Sequence, residues 1–219
     1  MPNSSDVLVR WITSFIILGL CGLAIIRGWS ITEFAVARAN PASDATKANA
    51  LRAWIGVPGL TGPVLENSLA LPVADDSDEA LRKRSDDLGA LLSARPLSPA
   101  EWLSLAAVRL EIKEPESKVQ SALAMSWLTG PNEGSLMWRR AMFGLLHWET
   151  FPNEAHNRTI ADLAGSILGH VTMREEVGLA GHLLSRKSIE TRSRIAQMLR
   201  ASGLHSPELL ELGLSGEGG

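Results

Sequence analysis

Residues 98–131 read SPAEWLSLAAVRLEIKEPESKVQSALAMSWLTGP, and they decide the fold class. Ser98-Pro99-Ala100-Glu101 sets a helix N-cap, a proline at the first helical position and a glutamate able to close a capping box. Trp102, Leu105, Ala106 and Leu110 follow at offsets 0, 3, 4 and 8, one face of a 3.6-residue period. Pro115 breaks the pattern. Val119, Ala122, Leu123 and Trp127 then repeat the same offsets, and Gly130-Pro131 ends the second run. Two amphipathic helices joined by a short turn form a helical hairpin.

Downstream the pattern continues. Met137, Ala141, Gly144, Leu145 and Trp148 predict one helix. Pro152 opens another, carrying Ile160, Leu163, Ala164, Ile167, Leu168 and Val171. Two more are predicted over Arg174–Ser185 and residues 188–201, and a last turn begins at Ser206-Pro207-Glu208. Upstream, Asp78 and Glu79 favour the N-terminal dipole of a helix reaching Ser93. No segment alternates with period two, and no Asn-Gly or Asp-Gly turn appears, so the class is all-α.

The N-terminus has a different composition. Residues 11–26, WITSFIILGLCGLAII, contain no charge. Arg10 and Arg27 close the run, and Trp11 and Trp29 stand eighteen residues apart, about 27 Å along a helix and close to the hydrocarbon thickness of a bilayer. Aromatic belts and snorkelling arginines belong at those depths. A cleaved signal peptide and a buried soluble helix are the competing readings; against the first, Arg27, Gly28 and Trp29 occupy the place where small residues are needed. A lipoprotein signal is disfavoured because Leu20 precedes Cys21. Residues 1–29 are therefore expected to be a tail and an uncleaved transmembrane anchor.

Ser30 and Glu33 form an S-x-x-E box, which predicts a second helix starting there and stopping at Pro41. Another is expected from Ser43 or Asp44 to Trp54, then an irregular connection over residues 55–63 and a break at 71–76. Residues 30–76 thus read as a helical connector, 77–214 as a domain of antiparallel helices, and 215–219 as a disordered tail.

The net charge of −3 gives no bulk case for nucleic-acid binding. The single cysteine lies in the apolar run, so no disulfide can form within the chain. Of the five histidines, His147 and His156 belong to the only cluster of metal-capable side chains, with Glu149 and Glu154. Their spacing matches no HExxH-type signature, and no metal or cofactor is expected. There is no G-x-S-x-G elbow and no phosphate loop. Adjacent acids such as Asp86-Asp87 diverge by about 100° on a helix. The sequence points away from an enzyme.

Residues 98–131 span thirty-four positions, the period of a tetratricopeptide repeat. Small Ala107 sits where the first helix meets its neighbour, Leu110 takes an aromatic site, and Pro131 closes the second helix. The repeat's usual glycine and second-helix alanine are not cleanly present. The stretches PLSPAEWLSLAAVRL and SALAMSWLTGPNEGSLMWRR, within residues 96–140, resemble small membrane-anchored proteins with tetratricopeptide-like helices found in proteobacterial exopolysaccharide gene clusters. The resemblance is sharpest at Leu128-Thr129-Gly130-Pro131-Asn132-Glu133. It implies a helical adaptor anchored to the bacterial inner membrane with its soluble domain in the periplasm, bound to another envelope or membrane protein, and it carries no catalytic residue. Arg27, Arg38 and Lys47 against Arg10 lean toward the cytoplasmic side instead; the resemblance is taken to decide. Stacked hairpins leave a concave groove, expected to be lined by Trp102, Arg109, Trp138 and Arg139. One alternative is a face that meets anionic lipid or acidic polysaccharide, formed by Arg186, Lys187, Arg192, Arg194 and Arg200; the other is an enzyme without a recognisable motif.

Overall fold

The computed structural model of the chain describes residues 4–39, 61–69, 77–169 and 174–214. Among the described residues every regular element is helical, as the periodicity requires. The chain divides into two compact units, Met1–Asp76 and Ser77–Gly219.

In the first unit, α1 runs unbroken over Ser4–Ala39, 36 residues. The predicted restart at Ser30 does not occur. Neither Gly28 nor Ser30 is a strong enough breaker, no proline intervenes before Pro41, and the Thr32 hydroxyl donates to the Gly28 carbonyl at 2.9 Å along the continuing helix. Apolar side chains are exposed all around α1: Trp11, Ile12, Ile17 and Leu20 point roughly 0°, 100°, 240° and 180° about its axis, and each is more than half exposed. Among the described residues no helix is long and apolar enough to cross a membrane; the uncharged run 11–26 gives about 24 Å of helix against a hydrocarbon core of about 30 Å. A second helix, α2, covers Thr61–Leu69, so the irregular connection expected over 55–63 ends earlier: Pro63 lies in the first turn, where a missing N–H costs nothing. The helix expected over 44–54, residues 55–60 and the break at 71–76 lie outside the described residues.

The second unit contains α3 (Asp78–Ala94), α4 (Pro99–Glu111), α5 (Glu116–Thr129), α6 (Gly134–Leu146), a 3₁₀ turn (Trp148–Thr150), α7 (Asn153–Leu168), α8 (Arg174–Ser185), α9 (Ile189–Ala201) and α10 (Ser206–Glu211). Ser77 caps α3, accepting from the Ala80 N–H at 3.3 Å, and Ser188 caps α9, accepting from the Thr191 N–H at 3.1 Å. One expected cap differs. Ser98 makes no side-chain cap bond, so Pro99 alone marks the start of α4. The last turn begins at Ser206 as expected, with His205 as its N-cap residue, whose backbone N–H donates to Glu208 Oε2 at 3.0 Å. Trp148, expected on α6, falls in the 3₁₀ turn but stays buried. The α4–α5 turn closes through Lys113, whose φ of 56° is left-handed, with the Glu114 N–H returning to the Arg109 carbonyl at 2.9 Å.

Helix α4 packs on α5 and α6 on α7, two successive hairpins, with α3 against α4. Along one side α4 touches α6, α6 touches α8 and α8 touches α10, while α7 meets α9 on the other. The apolar stripes read from the sequence face inward: Val119, Ala122, Leu123, Ala141, Leu145, Ile160 and Leu163 are all buried. The α6–α7 contact is close because Gly144 has no side chain; a Cβ there would stand 2.1 Å from the Thr159 hydroxyl oxygen.

Candidate functional site

Arg140 on α6 is the largest fully buried side chain in the described structure. Its guanidinium grips Asp162 of α7 in a forked pair, Nε to Oδ2 at 2.7 Å and Nη2 to Oδ1 at 3.0 Å. The remaining donors reach the carbonyls of Ser126, Gly130 and Pro131 at 3.1, 2.8 and 3.3 Å. Those carbonyls are at the end of α5, where a helix leaves its last acceptors unpaired and its dipole favours a cation. Arg140 thus caps a helix from outside it. The Trp127 indole N–H donates to Asp162 Oδ2 at 2.7 Å, so one carboxylate ties α5, α6 and α7 together. Burial pushes the Asp162 carboxyl up from its ordinary value, while the hydrogen bond and charge of Arg140, and then Trp127, pull it back.

The clamp has no counterpart among the site residues expected from the sequence. A signal was present. Thr159, Asp162 and Ser166 form a polar edge at offsets 0, 3 and 7 beside the apolar stripe of α7, and all three are buried. Position 140 lies one helical turn from buried Leu136 and from Gly144, which places it on the inner face.

Outside the clamp, α4 and α6 frame an open hollow of about 340 Å³ lined by Leu103, Ser104, Ala107, Trp138, Arg139, Met142 and Phe143. The four residues expected to line a groove separate here. Trp138 and Arg139 lie in the hollow. Trp102 instead donates its indole N–H to the Pro96 carbonyl at 2.8 Å, holding the α3–α4 turn. Arg109 holds the α4–α5 turn, with Nη1 on the Lys118 carbonyl at 3.1 Å and Nε 3.5 Å from Glu114. Even Trp138 presents little surface, being only 7 % exposed and part of the main core.

The basic stretch does not form one face. On α9, Arg192 and Arg194 point about 200° apart. Arg194 donates to Asn153 at 2.9 Å, and Lys187 is turned toward Glu149 at 3.9 Å; Arg186 and Arg200 are exposed. In α1, Trp11 and Trp29 are exposed, and the side chains of Arg10 and Arg27 lie outside the described part.

The His147–His156 cluster disperses as well. His147 packs in a three-ring cluster with Phe143 and Phe151, ring centroids 4.9 and 6.2 Å away and the two phenyl rings 5.7 Å from each other, and burial lowers its pKa from 6.5, with Glu111 opposing and Lys187 reinforcing. His156 stacks on Trp148 at 3.9 Å. Its Nε2 is 2.7 Å from the Trp148 carbonyl, so Nε2 carries the proton and donates. Glu154 faces Arg158 at 3.9 Å. His182 and His205 are exposed, His170 lies outside the described residues, and no group of three metal-capable side chains gathers among those described. A smaller hollow between α5 and α7, about 170 Å³, is lined by Trp127, Leu128, Glu154 and Arg158 among others; the Arg158 guanidinium lies 5.7 Å over the Trp127 ring.

No family model, curated protein or solved structure matches the chain.

Proposed function

We propose that the chain is a non-enzymatic, single-pass membrane adaptor: α1 anchors it in a lipid bilayer, and a tetratricopeptide-like stack of hairpins, α4 to α10, docks another envelope protein. The observation that carries this reading is the exposure of apolar side chains around the whole circumference of α1. In water such a surface is unfavourable by about 25 cal/mol per Å², and an isolated apolar helix is stable only where lipid or protein covers it. The continuity of α1 supports a span longer than its uncharged run. With Trp11 and Trp29 at the two boundaries, their separation of eighteen residues reaches about 27 Å.

The adaptor half of the reading is supported by the row α4–α6–α8–α10, the arrangement by which stacked hairpins present an extended binding surface, and by the hollow between the first two members of that row. The periplasmic side and a role in polysaccharide assembly or export follow from the resemblance of residues 96–140. The anchor is tested by alkaline carbonate extraction of membranes containing the full chain. It should stay in the pellet, and quantitative release to the supernatant would overturn the anchor. A reporter fused after Gly219 should then be active only in its periplasmic form.

A further inference from the structure

We infer that the α4–α6 hollow takes an apolar peptide segment bearing one carboxylate, which pairs with Arg139. This rests on the adaptor reading and names the partner chemistry it would use. The arginine doublet is split by helix geometry. Arg140 turns inward, where Asp162 satisfies it at 2.7 and 3.0 Å, while Arg139 turns outward beside Trp138 and has no hydrogen bond or ion pair among the described residues. Arg139 is the only charged residue in a lining otherwise made of Leu103, Ala107, Trp138, Met142, Phe143 and Ser104. The Ser104 hydroxyl proton is already used, donated to the Ala100 carbonyl at 3.0 Å. The hollow therefore offers one strong donor, cationic and planar, on an apolar bed.

A ligand rich in hydroxyls or in several anions would lose hydration there without replacement bonds. A segment placing an aliphatic or aromatic side chain over Met142 and Phe143, with an acid at the Arg139 edge, matches both properties. Met142 adds an adaptable wall able to fit side chains of differing shape. The floor at Ala107 keeps the hollow open, and Ala107 is itself only partly buried, so it can be enlarged without disturbing the core.

The test uses the full chain in lipid nanodiscs and a phage-displayed random peptide library. Enriched peptides should carry one acidic residue within an apolar run. Their synthetic forms should bind Arg139→Glu about tenfold more weakly, and replacing the peptide's acid with lysine should restore binding to that variant. Ala107→Phe, which fills the hollow, should abolish binding to either. Peptides lost on Ala107→Phe but indifferent to Arg139→Glu would overturn the carboxylate while leaving the docking hollow intact. Peptides indifferent to both variants, or no enrichment, would overturn the hollow as a docking site and leave the membrane anchor untouched.

Discussion

Helix α1 and the α5–α7 clamp invert the usual rule in opposite directions. In α1 large apolar side chains stand outside: Leu18 is 69 % and Ile25 71 % exposed. In the clamp an arginine with no exposed surface sits at the centre, its carboxylate partner 4 % exposed. Each inversion is stable only with a specific surrounding. The clamp carries its surroundings with it, as five hydrogen bonds from Arg140 to an acid and three carbonyls. The surroundings of α1 are not within its own helix, and the proposal assigns that role to lipid. Charge is therefore indispensable at one place and intolerable at the other, and the comparison can be broken from either side.

The largest effect is expected in the clamp. Asp162→Ala leaves Arg140 buried without its counterion and should destabilise the Ser77–Gly219 unit by about 3–5 kcal/mol, read by urea denaturation of the full chain in nanodiscs through tryptophan fluorescence. Arg140→Met combined with Asp162→Leu removes both charges and should recover most of that loss, because the desolvation cost leaves with them. The α5 carbonyls lose their cap in the double variant, so recovery should stay incomplete. A double variant as unstable as Asp162→Ala would mean that the pair is stabilising in itself, beyond the compensation of one buried charge by another.

The converse substitution introduces a charge into α1. Leu18→Arg should disfavour membrane insertion by about 2.5–3.5 kcal/mol, seen as a shift of the full chain from the carbonate-resistant to the extractable fraction. The denaturation midpoint of the second unit should not move, since Leu18 lies in the other compact unit. An unchanged membrane fraction would show that α1 is covered by protein rather than lipid.

What was legible in the sequence follows the same division. The period of 3.6 and its breakers place the starts of α4, α5 and α7 within one or two residues, because their apolar stripes are the surfaces that pack: Val119, Ala122, Leu123 and Trp127 are all buried as their spacing requires; α7 ends at Leu168, and Val171, expected on it, lies outside the described residues. Helix ends were read less well. The Ser30-x-x-Glu33 box is a local signal, and in α1 it was overridden by a helix that had no proline to stop it. The clamp stayed hidden for another reason. Arg140 and Asp162 are 22 positions apart and acquire meaning only once α6 lies on α7, a contact set by Gly144 against Thr159. The groove residues went astray similarly. Trp102 and Arg109 sit at helix positions suited to an inner face, yet each is drawn to a carbonyl in an adjacent turn, and long side chains near helix ends commonly find such partners.

The smallest effect tests whether the second unit tolerates a charge on a half-buried ring among phenylalanines, where Glu111 only partly offsets the cost of burial. His147 has its ring against both Phe143 and Phe151, and burial holds its pKa below 6.5. The folded state therefore binds its proton less readily than the unfolded chain. The corresponding stability is fully present above about pH 6.5 and is lost as the pH falls through the lower folded value. Glu111 limits the loss and Lys187 enlarges it. Between about pH 7.5 and pH 5 the denaturation midpoint of the native chain should fall more steeply than that of His147→Phe, which keeps a ring in the cluster with the two phenylalanines and cannot take up a proton. Lys187→Gln should flatten the profile part of the way by removing the cation that opposes protonation. Equal slopes in the native chain and His147→Phe would place the acid sensitivity elsewhere.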